Sequence, residues 1–308
     1  MRIVFMGTPR FAVEIFRRIV KDGHEICGVF TQPDKPQGRK MRLTPSPVKL
    51  AAEDEAPIFQ PSSMKDPLAL QTLHTLAPDV IVVVAYGQIL PESVLNIPKF
   101  GCINLHASLL PKYRGAAPIQ WSIINGEKET GVTSMFISTG LDTGDMILKK
   151  AVAITENETY GSLHDKLMLA GARVISETLP LIESGNAPRE KQEDALSSYA
   201  PRIMRETGLL DFTKPAQRVH DLVRGLSPIP GAYTFYHGKT FKIIETEISD
   251  KRAGEPGTIF AEKDVLEVLC GDGRCVRLLT VQAQGGKKME AALYLRGHQP
   301  ISGERMGA

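Results

Sequence analysis

Apolar and polar positions along this chain follow two alternating periods. A short apolar run at residues 3–6 ends in Gly7, Thr8 and Pro9, and apolar side chains then recur at Phe11, Ile15 and Ile19 and at Val13, Phe16 and Val20. The run predicts a strand and the later spacing a helix, joined by a tight turn with Thr8 near the N-cap and Pro9 at the first helical position. The same alternation repeats downstream. Strands are expected at 26–30, 80–84, 102–106, 130–137 and 146–154, and helices at 48–55, 66–76, 119–124 and 160–184. The 80–84 run, VIVVV, has no polar position, as a strand buried on both faces of a parallel sheet requires. Strands alternating with helices predict an α/β fold with a doubly wound, mainly parallel, Rossmann-like sheet.

The pattern changes after residue 185. Residues 186–205 are polar and contain Pro188 and Pro201, the composition of a linker. A helical piece is expected at 215–225, followed by the turn SPIPG and by strands at 232–236, 240–246, 257–260, 265–270 and 275–281, with Asp272-Gly273 as a hairpin signal. Five short strands within about 70 residues favour a small β-barrel of OB-like type. The expected organisation is therefore a catalytic domain over 1–187, a linker over 188–205 and a β-barrel domain over 206–308.

One segment obeys neither period. Residues 31–49 hold four prolines, one glycine and five cations, Lys35, Arg39, Lys40, Arg42 and Lys49, against the single acid Asp34. Such a stretch is not expected to continue a sheet or a helix; it reads either as a solvated basic loop or as a mobile arm that contacts phosphates. Overall charge does not decide between these, because the net charge is only +2 and cations and acids from Glu206 onward number 14 and 13. Any nucleic-acid contact must come from a local patch. The four cysteines form no CxxC pair and no zinc spacing, and the opening MRIVFMGTP lacks a signal-peptide pattern, so a reduced, cytosolic protein is expected. The longest apolar run, 80–86, is too short to span a bilayer.

Candidate chemistry concentrates at 101–115, GCINLHASLLPKYRG. On a strand Asn104 and His106 point to one face and Leu105 to the other. The loop GLDTGD at 140–145 carries two further carboxylates between glycines. An imidazole near an acid and an amide at strand ends suits proton movement and oxyanion stabilisation, although Asn-x-His is equally a pattern of satisfied structural residues. No serine or cysteine is placed as an obvious nucleophile, so direct attack of one substrate on another fits better than a covalent enzyme intermediate. The single Gly7 is not a dinucleotide fingerprint, no phosphate-binding P-loop is present, and two N and O ligands do not make a zinc site.

The runs MGTPRFA at 6–12, QPD at 32–34, PSPVK at 45–49, NLHASLLPKYRGAAPIQW at 104–121 and GLDTGD at 140–145 resemble the methionyl-tRNA formyltransferase family. The resemblance extends from Met1 to the LRG of Leu295, Arg296 and Gly297, and no motif position departs from it. Asn-x-His, SLLP-x-x-RG and the Asp loop are shared by a wider group of enzymes that use 10-formyltetrahydrofolate. The GTP start, the basic insert and the added β domain point within that group to the transfer-RNA enzymes. The resemblance implies formyl transfer from N10 of the folate to the α-amino group of methionine on initiator tRNA, for translation initiation. It implies Asn104, His106 and Asp142 as the catalytic residues, with Asn104 and His106 stabilising the oxygen of a tetrahedral centre and Asp142 orienting His106. Folate contacts are implied for Tyr86, Gly87, Gln88, Ile89, Leu90 and Pro91, for Ser108, Leu109, Leu110, Pro111, Arg114 and Gly115, and for Asp142. Phe11 would touch the methionyl side chain, Arg39 would read the end of the acceptor stem, and Lys40 and Arg42 would meet phosphates. A cytoplasmic monomer without a metal is expected. The alternatives are a folate-dependent formyltransferase acting on a small amine, a non-catalytic RNA-binding module, and a nucleotide-sugar or dinucleotide-binding protein.

Overall fold

The computed structural model describes residues 1–37, 41–298 and 300–307. The chain falls into two compact units: Met1–Gly115 with Thr130–Val152 and His164–Tyr199, and Ala116–Glu129 with Ala153–Leu163 and Ala200–Ala308. Residues 188–199, inside the stretch expected as a linker, thus lie within the first unit.

The chain begins with β1 (Arg2–Gly7), α1 (Arg10–Lys21), β2 (Glu25–Phe30), β3 (Lys35–Gln37), β4 (Arg42–Thr44), α2 (Pro47–Ala52), β5 (Ile58–Phe59), α3 (Pro67–Leu76) and β6 (Val80–Val84). It continues through α4 (Glu92–Leu95), β7 (Cys102–His106), β8 (Arg114–Gly115), α5 (Pro118–Ile124), β9 (Glu129–Phe136), β10 (Met146–Ala153) and α6 (Tyr160–Glu183). Two helices open on residues that satisfy their first N–H groups: Ser46 accepts from Lys49 N and Asp66 from Leu68 N, each followed by proline. Thr8 is used differently from expectation. The N-cap of α1 is Pro9, and the Thr8 hydroxyl instead donates to Tyr86 O at 2.8 Å and accepts from Gln32 N at 3.3 Å, tying together the ends of three strands.

Among the described residues the main sheet has seven strands in the order β10-β9-β7-β6-β1-β2-β5. The pairs β1/β2, β1/β6, β2/β5 and β6/β7 are parallel, and β7/β9 is antiparallel. The fully apolar β6 is buried throughout, and one face of the sheet closes over a cluster that includes Val4, Met6, Phe30, Leu73, Ile81 and Val94. The proline-rich insert departs from expectation, because β3 and β4 pair as an antiparallel ribbon with Pro36 opposite Leu43. The ribbon joins no further strand among the described residues, so the N–H that Pro36 lacks is not needed by a neighbour. Its roots are clamped: Asp34 accepts from Lys49 Nζ at 2.7 Å and from Gln60 Nε2 at 2.8 Å, and these bonds hold its carboxyl below the usual range.

The later chain forms β11 (Tyr199–Ala200), α7 (Ala216–Leu226), β12 (Ala232–Tyr236), β13 (Lys239–Lys251), β14 (Ile259–Glu262), β15 (Val265–Leu269), β16 (Arg274–Ala283), β17 (Met289–Glu290) and α8 (Ala291–Gly297). An antiparallel sheet runs β12-β13-β16-β15-β14, with β17 beside β16, and three register shifts in the long β13 bend it. Gly273, at φ 78°, makes the turn between β15 and β16. Four cysteines, Cys27, Cys102, Cys270 and Cys275, are buried free thiols; burial raises all four, Cys102 and Cys270 to about 12 and Cys275 to about 11. Among the described residues no helix is long and apolar enough to cross a membrane.

Polar groups are also sealed inside the second unit. Arg224 Nε donates to Asp221 Oδ1 at 2.7 Å with both side chains nearly inaccessible, and His220 Nδ1 lies 2.9 Å from Thr246 Oγ1. Burial, and next the Arg224 charge, depress the His220 imidazole below its ordinary 6.5. The unfolded chain therefore binds a proton at His220 more readily than the folded one, so stability is complete above 6.5 and declines as pH falls toward the depressed folded value. Thermal unfolding between about pH 7 and pH 5.5 should show the Tm of the parent falling more steeply than that of His220→Gln; parallel curves would contradict this account.

Candidate active site

Asn104 and His106 share one face of β7, as strand alternation requires. Leu105 takes the other face, where a Cβ on Gly171 of α6 would come within 2.6 Å of its Cδ2, so α6 approaches β7 closely only because residue 171 is glycine. His106 is 6% exposed, and its Nε2 donates to Tyr113 O at 2.8 Å. A carbonyl can only accept, so Nε2 carries the hydrogen and Nδ1 is the position that gains or loses a proton. Nδ1 faces Asp142 Oδ2 at 3.6 Å. The same oxygen accepts from Gly115 N at 2.9 Å, while Asn104 Nδ2 reaches Asp142 Oδ1 at 3.5 Å. The carboxylate is thus held firmly by one peptide N–H and only loosely by the two side chains, which keep bonding capacity for a substrate.

Two loops carry these partners. In the first, Ser108 Oγ donates to Lys112 O at 2.6 Å, and Thr133 Oγ1 donates to Ser108 O at 2.7 Å while accepting from Leu110 N at 3.2 Å. The second is the 137–145 hairpin. Because β9 runs against β7, Phe136 stands opposite Ile103, and the hairpin departs beside the amino-terminal half of β7. It therefore brings Asp142 back over Asn104 and His106, the latter at the carboxyl end of β7. Closure requires Gly144, where a Cβ would lie 1.7 Å from Phe136 O, and places Asp142 at φ 52°.

Other expected site residues lie as follows. The 85–91 loop leaves the carboxyl end of β6, with Gly87 at φ 87°, Ile89 86% exposed, Leu90 in the core and Pro91 as the N-cap of α4. Tyr86 is buried and its hydroxyl has no hydrogen-bond partner among the described residues. The Gln88 amide accepts from Met64 N and donates to Pro61 O. Ser108 and Leu110 are buried, Leu109 and Pro111 are half-buried, and Arg114 is engaged by Gln192 and Asp194. Phe11 is buried with its ring edge-on to His164 at 5.4 Å, and Arg42 is exposed on the ribbon. Arg39 and Lys40 lie outside the described residues. Sequence reasoning missed Tyr113 O, Thr133 and Gln192. Thr133 was one polar residue among several in its strand, beside Thr130 and Ser134, and Gln192 gave no signal within a polar stretch.

Residues 1–179 match the model of the formyl transferase family, and 202–299 that of the formyl transferase C-terminal domain. A methionyl-tRNA formyltransferase of Caldanaerobacter subterraneus subsp. tengcongensis is 52% identical over 301 residues, covering 97% of both chains. The chain belongs to the methionyl-tRNA formyltransferase family. Another member, from Clostridioides difficile, is 49% identical over 310 residues and covers all of both chains. The fold is also that of an N-formyltransferase from Helicobacter canadensis solved with folinic acid and dTDP-3-aminofucose, at 20% identity and a TM-score of 0.70 over 90% of this chain and 98% of that one. Members of the family use a formyl-tetrahydrofolate, and the residues here fit one. The 85–91 and 137–145 loops carry the exposed apolar side chains of Ile89 and Leu141, a chemistry suited to a flat heteroaromatic ring.

Thr133 anchors the family's SLLP run through a wholly buried hydroxyl. Thr133→Val keeps the shape but leaves Ser108 O and Leu110 N without that partner, and should lower the unfolding free energy by about 1–3 kcal/mol. Urea denaturation checks this, and an unchanged midpoint would remove the hydroxyl from the anchoring role.

Proposed function

We propose that this chain transfers the formyl group of 10-formyltetrahydrofolate to the α-amino group of methionyl-initiator tRNA, with Asn104, His106 and Asp142 as its catalytic residues. The observation that carries the reading is one carboxylate, Asp142, fixed by Gly115 N and facing both Asn104 Nδ2 and His106 Nδ1. When bound, the folate supplies the formyl carbon on N10. Asn104 donates from Nδ2 to the formyl oxygen as the amine attacks, offering a prepaid dipole where charge develops; the bond from the formyl carbon to N10 then breaks, and the proton given up by the amine balances the one that N10 gains. His106, whose Nε2–H is committed to Tyr113 O, donates from Nδ1 when that nitrogen carries a hydrogen, and Asp142 orients the ring. No strong base is needed, because an α-amino group with a pKa of about 7.7–8.0 already has a neutral fraction near neutrality.

The 85–91 loop, Ser108–Gly115 and Asp142 hold the folate, mainly through peptide groups, since several of the side chains are engaged within the protein. Phe11 walls the methionyl side chain, Arg39 reads the end of the acceptor stem, and Lys40 and Arg42 meet phosphates. The 1–187 region carries the chemistry and 206–308 binds tRNA, joined by the 188–205 stretch, in a cytoplasmic monomer.

Transfer of labelled formyl to methionyl-tRNA, initiator against elongator at two salt concentrations, tests the assignment. Initiator should be strongly preferred and its KM should rise with salt. Folate turnover without a tRNA product would move the acceptor to a small amine. Under single turnover His106→Ala should be slower by about 10²–10⁴-fold; a rate within a few fold of the parent would exclude its role. Arg39→Ala should lose activity on tRNA with folate binding nearly unchanged, and equal losses in both would sink the stem-reading role.

A further inference from the structure

From Pro188 to Tyr199 every residue is exposed except Gln192. Its side-chain amide donates to two backbone carbonyls, Asp142 O and Gly144 O, each at 2.8 Å, and its Oε1 accepts from Arg114 Nε at 2.9 Å. Both N–H groups and the oxygen are therefore directed at the two loops that meet at the carboxylate. The surrounding segment is pinned on each side. Met146 and Glu190 exchange backbone bonds at 2.8 and 3.0 Å, and Ser198 receives Arg114 N on its carbonyl and Tyr113 N on its hydroxyl, each at 2.9 Å. Asp142 and Tyr113 both have positive φ, 52° and 61°, a backbone state that non-glycine residues keep only where the surroundings over-determine it.

We propose that Gln192 is a positioning residue for formyl transfer: by holding the carbonyls of Asp142 and Gly144 it aims the Asp142 carboxylate at Asn104 and His106. This rests on the reading of Asp142 as catalytic. The chemistry of the position selects an amide of this length. A carboxylate would set negative oxygen against two carbonyl oxygens, an aliphatic chain would leave both carbonyls without a donor, and asparagine is a methylene shorter.

Gln192→Leu and Gln192→Glu separate this role from simple stabilisation. Both should lower kcat by about 10–100-fold, the scale of a small misplacement of a reacting group, with KM for folate and for tRNA changed less than about threefold. Glu should be no better than Leu, although it matches glutamine in size and can still accept from Arg114. Because Gln192 acts through Asp142, Gln192→Leu should cost less than about threefold when added to Asp142→Asn. A Gln192→Glu enzyme with parental kcat overturns the proposal, as do losses that vanish when rates are scaled to the folded fraction, or full additivity with Asp142→Asn. If Asp142→Asn itself keeps the parental rate, the catalytic reading of Asp142 fails; if it is inactive while both Gln192 variants are active, only the positioning role does.

Discussion

The hydrogen bond from Gly115 N to Asp142 is the contact on which the site depends. It joins the segment that follows β7 directly to the hairpin that follows β9, two pieces of chain that Gln192 also bridges. An acceptor-only carboxylate with one strong donor is held in place while its remaining lone pairs stay available to the amide and imidazole on β7. Were Asn104 and His106 bonded to it as tightly, both would be satisfied by the protein and could offer a substrate less.

The strand directions make this possible. Four parallel pairings place β7 beside β6, and the antiparallel β9 then sends its hairpin to the near half of β7. The hairpin can fold back over the strand only through glycine at 144, where any side chain would collide with backbone. Behind the sheet, Leu105 and Gly171 bring α6 close, so the face that carries the chemistry is backed by dense apolar contact. Rigid backing and loosely bonded polar groups are complementary needs, and alternation along a single strand supplies both.

Much of this was legible in the sequence. The period of the apolar positions located the strands and main helices, and alternation alone put Asn104 and His106 on one face. The geometry that gives those residues their character was less legible, because it comes from the main chain. Tyr113 contributes a carbonyl, Gly115 an N–H, and Gln192 binds two carbonyls, and none of these roles is written in side-chain type. The ribbon of β3 and β4 escaped for a related reason: proline forbids a strand only where its missing N–H would have had a neighbour. Thr8 illustrates the opposite error, since a residue well suited to capping a helix was used to tie strand ends together.

The buried sulfurs have a practical consequence. Reagents that modify cysteine attack the thiolate, and all four thiols here are both shielded and hard to ionise. Toward alkylating dyes or spin labels the native fold should behave as though it contained no cysteine. A single cysteine introduced on its surface would then be a unique attachment point, giving distance and mobility measurements without first replacing the native sulfurs and disturbing the cores they help to fill.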